Sequence, residues 1–313
     1  MSDKQHIYDV IMIGAGPTSL AAAVYTSRED IDTLLLEKGI IGGLAAITDK
    51  VDNYPGFPDG IEGMQLAENL RKQAERFGAV IELDEVLSIK KDDNIFKIQS
   101  AIGSYESRSI LIATGSQWKK LNVPGEEEFY GRGVHNCATC DGAFYRDKKL
   151  VVVGSGNSSA QEALFLTKFA SHIDILIRGD VWKASDVLVK EIEAHKKITV
   201  HFNTVINKIS GADVDGIHRV TEVETSENGS SKTIQTDGVF VFIGLVPVTY
   251  FLEGMDVAYD EAGFIKTNKK LMTAVDGLFC AGDVRSGATM QIASAVGEGA
   301  SAALSIREYL EGR

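Results

Sequence analysis

Cysteine is scarce in this chain, three residues in 313. That is too few for a disulfide-stapled extracellular scaffold, and a reducing, cytoplasmic setting is expected. No apolar run reaches the ~18 residues of a membrane span. No basic flank followed by an apolar core and cleavage site precedes the first glycine loop, so neither targeting nor membrane insertion is expected. Positive charge is in deficit, with 32 Lys and Arg against 44 Asp and Glu and a net charge of −12. That balance argues against nucleic acid or anionic lipid as the main partner. Only one CxxC occurs and no HxxxH, so a tetrahedral zinc site would lack ligands and no metal is expected. What remains is ordinary: 44% hydrophobic and 24% charged residues, enough for a sizeable core and, at this length, about two domains.

The most informative stretch is Cys137-Ala-Thr-Cys140-Asp141. Two cysteines at this spacing near a helix start close a small disulfide that exchanges readily. The adjacent carboxylate can hand a proton to a departing thiolate. A dithiol beside nucleotide-binding loops fits electron transfer. Cys280, in an apolar strand-like segment, reads as a buried small hydrophobe.

Glycine-rich fingerprints occur twice. The apolar run Tyr8 to Ile13 leads into Gly14-Ala-Gly16-Pro17-Thr-Ser19, and a helix is expected from Leu20. Glycines permit the tight turn and bring backbone amides up to a pyrophosphate at the helix start. The next apolar run, Asp32 to Leu36, ends at Glu37, placed to accept the ribose hydroxyls of an adenosine. The pattern recurs at Lys149 to Val153, then Gly154-Ser-Gly156-Asn157-Ser158-Ser159, then a helix expected over Ala160 to Phe169 and a strand over Ile173 to Ile177. Ser109 to Ala113 is an apolar strand ending in Thr114-Gly115, and Leu278 to Asp283 is another ending in Gly282-Asp283. An aspartate at a strand's carboxyl end, just before a helix, lies where ligands sit in a doubly wound fold. The expected class is therefore α/β, with two Rossmann-like dinucleotide-binding units.

The chain resembles the low-molecular-weight thioredoxin reductases, flavoproteins with two dinucleotide domains. The shared segments are Gly14-Ala-Gly-Pro17, Gly42-Gly43, Asn53-Tyr-Pro-Gly-Phe57, Ala113-Thr-Gly115, Cys137-Ala-Thr-Cys-Asp-Gly142, Phe279-Cys-Ala-Gly-Asp283 and Gln291-Ile292 through Gly299. The resemblance implies a discontinuous FAD domain, residues 1–117 and 246–313, with a pyridine-nucleotide-type domain inserted over 118–245. The second domain carries the CxxC. Trp118 to Pro124 and Gly244 to Pro247 have connector character, and Asn228-Gly-Ser-Ser231 reads as a hairpin turn in the insert.

By the same resemblance, Cys140 faces the flavin, Cys137 attacks the disulfide of a thioredoxin-like partner, and Asp141 is the acid–base group. Asp283 binds the ribityl or pyrophosphate region, and Gln291 and Ile292 open a helix toward the isoalloxazine. Asn53 matches an asparagine beside the flavin, although turn chemistry also suits it, as a surface helix start suits Gln291. A homodimer is implied.

The family's His-Arg-Arg-x-x-x-Arg clamp for the NADPH 2′-phosphate is here Ile177-Arg178-Gly-Asp-Val-Trp-Lys183. Arg178 and Lys183 remain as candidate contacts, and lysine does not reproduce a bidentate arginine. NADPH is the first expectation, with NADH and reduced ferredoxin as alternatives. The flavoprotein of a peroxide-reducing system and a non-catalytic nucleotide-binding protein are the rival functions.

Overall fold

Apolar strands that stop at a glycine determine where this molecule can bind anything. The computed structural model describes residues 6–48, 50–51, 53–214, 216–227 and 229–312. The chain divides into two compact units, Met1–Gln117 with Val246–Arg313, and Trp118–Leu245. The two crossings between them, Ser116–Trp118 and Leu245–Pro247, pair with one another as a two-stranded ribbon.

The larger unit is built on a seven-stranded sheet. Ile7–Ile13 lies parallel between Thr33–Glu37 and Ser104–Ile112, and Leu278–Cys280 joins the far side of Ser104–Ile112. Strand alternation splits Ile7–Ile13 between two cores. Val10 and Met12 pack with Leu20, Leu66 and Ile306 on one face, while Ile11 and Ile13 pack with Phe251 and Leu252 on the other.

Register decides the site. Ile13 is level with Leu36 and with Ile112, and Ile112 with Cys280. Gly14, Ala113 and Ala281 therefore leave the sheet, and Glu37 ends its strand, along one line, the crevice where α/β folds place their ligands. Helix Ile292–Glu311 crosses Pro17–Arg28 backbone to backbone, because a Cβ at Gly299 would overlap the Thr18 carbonyl.

The second unit has a five-stranded parallel sheet in the order Val134–His135, Gly238–Val241, Lys149–Val153, His172–Leu176, Ile198–His201. Beside it, Thr204–Val214, Ile217–Glu227 and Ser230–Gln235 form an antiparallel meander. Asn228, part of the expected hairpin turn, lies outside the described residues.

Helix limits differ from the sequence reading in a consistent way. The first helix starts at Pro17 rather than Leu20, and the second runs Asn157–Leu166 rather than Ala160 to Phe169. Gly16 and Gly156 are extended N-cap residues, with φ −78°, ψ −177° and φ −90°, ψ 179°, so turning begins at the next residue. Proline fits the first helical position because its missing N–H has no intrahelical partner there. The Lys197 ammonium binds the Thr167 and Ala170 carbonyls, both at 2.8 Å, closing the other end of the second helix. Asp283 is not followed directly by a helix: residues 284–291 turn before Ile292–Glu311 begins.

Among the described residues no helix is long and apolar enough to cross a membrane. Among them, too, no group of three or more His, Cys, Asp or Glu is placed to hold a metal ion.

Candidate functional site

Cys137 and Cys140 are joined as a disulfide across the short helix Ala138–Asp141, which Cys137 caps, with Cα atoms 5.3 Å apart. Cys137 Sγ accepts the Cys140 amide at 3.2 Å and lies 3.4 Å from Thr139 Oγ1. Donors aimed at a sulfur favour its thiolate form, so the charge of an opened pair is best held on Cys137. The pair is half-buried, within reach of solvent.

Asp141 follows directly, and its amide donates to the Cys137 carbonyl at 3.1 Å. Its carboxylate meets His135 Nδ1 at 3.2 Å. Behind Ala138, which is buried between the cysteines, Glu162 accepts the Ala138 amide, and its Oε2 has no partner among the described residues. Burial pushes the Glu162 carboxyl above its ordinary range despite that amide bond. No local pattern marks Glu162; it is one acid on a helix face. Cys280 is 0% exposed, and burial pushes its thiol far up, which leaves it a small hydrophobe.

In the larger unit, Glu37 organises the first glycine loop: Oε2 accepts the Ala15 amide at 2.7 Å and Oε1 that of Gly39 at 2.8 Å. Gly14 has φ +92°, and a Cβ there would press on the Ala113 backbone carbonyl. Gly16 is the opposite case: a Cβ would meet nothing within 4 Å. No side chain caps the helix amides that begin there. Gly42 donates to Ala15 O at 2.8 Å, which brings Gly43 alongside Gly16. Thr114 Oγ1 donates to Val248 O at 2.7 Å, and Gly115 turns the chain with φ +67°. Asn53 Nδ2 donates to Gln291 Oε1 at 3.0 Å, joining two candidate residues far apart in sequence at the cap of Ile292–Glu311.

Gly282 N–H donates to Glu298 Oε2 at 2.8 Å, and Arg285 grips the same carboxylate with two nitrogens. The sequence reading passed over Glu298, although an acid inside the apolar run Val296-Gly-Glu-Gly299 signals a buried partner. Asp283 has no donor of its own among the described residues. Burial, then the Glu298 charge, pushes it up to about 6. Open space over uncapped helix amides, with an acid awaiting hydroxyl donors, fits the pyrophosphate and ribityl chain of a dinucleotide.

Asp283 supports a stability test. Its native carboxyl holds a proton up to about pH 6, whereas an unfolded aspartate releases it near ~4. The native state thus binds more protons across that window, and stability falls as pH rises through it, then levels off. Asp283→Asn is expected to raise the stability of the flavin-free protein by about 2–3 kcal/mol at pH 7, a gain that shrinks toward pH 4. Equal gains at both pH values in urea melts would exclude this carboxyl as the source.

In the second unit, Gly154 has φ +147° and lies against the Phe242 carbonyl, while a Cβ at Gly156 would meet nothing within 4 Å. Asn157 Oδ1 accepts the Ser185 amide at 2.8 Å, and Ser155 O accepts the Lys183 amide at 2.8 Å. Residues 183–185 are thereby tied to the loop. Ser158, Arg178 and Lys183 are exposed, and no ion pair holds Arg178 among the described residues. Ile177 is 1% exposed and belongs to the core with Ile175 and Ile192. A basic residue at 177 would forfeit ~1.5–3 kcal/mol of apolar burial and desolvate its charge. Ile177→His is therefore expected to cost core packing rather than to add a phosphate contact, whereas Gly179 has open space.

Comparison with known proteins bears on this geometry. The family model for pyridine nucleotide-disulphide oxidoreductases matches residues 8–299. Thioredoxin reductase of Bacillus subtilis is 39% identical over 308 residues, covering 98% of this chain and 96% of the relative. That of Treponema pallidum is 38% identical, covering 97% of both. The crystal structure of thioredoxin reductase from Streptococcus pyogenes superposes with a TM-score of 0.90 at 35% identity, covering 98% of this chain and 99% of that one.

Proposed function

The chain belongs to the pyridine nucleotide-disulphide oxidoreductase family and, within it, to the bacterial-type thioredoxin reductases, and from that membership we propose that Cys137 and Cys140 pass electrons originating with NADPH to a thioredoxin-like protein. The protein is an FAD-containing disulfide reductase. FAD, when bound, supplies the electron pair that opens the disulfide. Gly14, Gly16, Pro17, Glu37, Gly43, Ala113 to Gly115, Gly282, Asp283 and the pair Asn53–Gln291 would hold it.

The observation that carries the reading is the half-buried Cys137–Cys140 disulfide with donors on Cys137 Sγ and Asp141 directly after it. The opened pair presents Cys137 as thiolate to the partner disulfide, Asp141 carries the proton to the sulfur that departs, and Cys140 resolves the mixed disulfide. A homodimer is proposed as well, and the exposed apolar side chains Ile40, Leu44, Ile47 and Met64 of the larger unit offer surface for it to cover. With Cys280 a free thiol, a reducing compartment such as the cytoplasm suits the enzyme.

NADPH is the proposed donor on family grounds, held at Gly154, Gly156, Asn157 and Ser158, with Arg178 and Lys183 at the 2′-phosphate. The buried Ile177 and the missing side chain at Gly179 favour weak discrimination, and so keep NADH and reduced ferredoxin as second readings. Anaerobic mixing with each donor, followed by thiol counting on added thioredoxin, tests the whole reading. Expected are thiols on thioredoxin, a high apparent KM for NADPH, and less than ~10-fold preference over NADH. Gly179→Arg adds one charge-assisted contact, worth ~1.5–3 kcal/mol, and should improve NADPH use by roughly 10–100-fold while leaving NADH unchanged. Saturation at micromolar NADPH with no response to NADH would refute the weak clamp. Reduction by ferredoxin alone would exclude nicotinamide donors.

A further inference from the structure

His135 ties the acid of the redox turn to the rest of its unit. It ends the edge strand Val134–His135, two residues before Cys137, and its side chain is 9% exposed. Nδ1 lies 3.2 Å from Asp141 Oδ2, and Nε2 lies 2.7 Å from the Tyr145 hydroxyl. The ring stacks on Phe240 at 5.2 Å and 29°, and Tyr145 meets both rings edge-on. Strand, aromatic floor, the Tyr145 hydrogen bond and the ionic contact with Asp141 together fix the imidazole plane.

The carboxylate decides the tautomer. An ionised carboxylate only accepts, so the proton belongs on Nδ1 facing Asp141, and the Tyr145 hydroxyl, which burial keeps protonated, is left to donate to Nε2. A neutral imidazole that accepts at Nε2 carries its proton on Nδ1, where it donates to Asp141. Taking the thioredoxin-reductase reading above as given, we propose that His135 is the positioning residue of Asp141. Its Nδ1–H holds Oδ2 and leaves Oδ1 as the oxygen that moves protons for the dithiol.

The proton balance closes on Asp141. The carboxylate holds the proton given up by Cys137, and the electron pair of the resulting thiolate forms the bond to one partner sulfur. The partner's S–S bond breaks, its electron pair goes to the departing sulfur, and that sulfur takes the proton from Asp141. Cys140 then repeats the sequence: its proton passes through Asp141 to the second partner sulfur as the mixed disulfide breaks and the Cys137–Cys140 bond forms. His135 keeps its own proton throughout, as an orienting second partner does at other histidine–carboxylate sites.

Titratable and charged groups around this pair are few. Tyr145 and Asp141 face His135, Tyr130 also faces Asp141, and Asp237 and Arg219 reach Tyr145. Glu162 sits against Ala138 on the other side of the turn.

The test uses the purified full-length protein with dithiothreitol as reductant and alkylation of Cys137 and Cys140 as readout, which needs neither donor nor thioredoxin. His135→Asn keeps an N–H near the Nδ1 position, whereas His135→Gln places its amide nearer Nε2. His135→Ala and His135→Gln are expected to slow exchange roughly 10–100-fold. His135→Asn should recover the rate to within about 3-fold. Tyr145→Phe, which removes the donor to Nε2, should fall between. Thermal melts show which variants are folded, and the Asn and Gln pair is read against each other. If Asn and Gln behave alike, or Ala matches the unmodified protein, His135 only packs against Phe240 and the proposal fails. If the unmodified disulfide does not exchange at all, it is the redox reading of the pair that fails.

Discussion

Cys140→Ser should turn the enzyme into a trap for its protein substrate, while Cys137→Ser traps nothing. In the first variant, the Cys137 thiolate still attacks a thioredoxin-like disulfide, but no second thiol remains to break the mixed disulfide. A covalent adduct should accumulate in stoichiometric yield and dissolve in dithiothreitol. Steady-state disulfide reduction should drop about 10⁴-fold or more in both variants, the scale on which removal of a covalent nucleophile acts. The asymmetry follows from the donors on Cys137 Sγ, the Cys140 amide at 3.2 Å and Thr139 Oγ1 at 3.4 Å. Non-reducing electrophoresis with each variant decides the matter. An adduct with Cys137→Ser alone would reverse the two roles.

Gly16→Val should give folded, colourless protein, and Gly14→Val protein that does not fold stably. The two glycines share one loop, but only Gly14 is bound by its backbone: φ +92° disfavours any side chain, and the Ala113 carbonyl fills the space. Gly16 has ordinary extended dihedrals and open space, so valine costs the apoprotein little. The same side chain stands where helix amides would meet a pyrophosphate. Losing about two charge-assisted hydrogen bonds there, at ~1.5–3 kcal/mol each, weakens flavin binding by roughly 10²–10⁴-fold. Absorbance of the purified protein and a far-ultraviolet spectrum read both outcomes together. A yellow, fully loaded Gly16→Val protein would place the cofactor elsewhere.

The strands and glycine loops were legible because local chemistry specifies them: an apolar run of strand length, then a glycine, then a helix. Helix starts were less so. Ser158 and Ser159 disguise the first turn of Asn157–Leu166, since polar residues at a loop's end read as more loop. Contacts made by folding left no local trace at all. Asn53 meets Gln291 only because the Gln291 helix cap returns to the loop containing Asn53. The His135–Asp141–Tyr145 chain required a strand end, a redox turn and a 3₁₀ segment to converge. Burial of Ile177 was hidden for the same reason: a strand-end residue points into the core or toward a ligand depending on where the chain bends next, and here Thr204 N donates to Ile177 O at 2.9 Å as the meander departs.

The ribbon of Ser116–Trp118 with Leu245–Pro247 has an evolutionary consequence. Paired strands lie ~5 Å apart, so the ends the larger unit would have without its insert are already neighbours, and a turn of a few residues would rejoin them. An ancestral gene for one nucleotide unit could therefore have received a second through a single break in a surface hairpin, with the host sheet undisturbed.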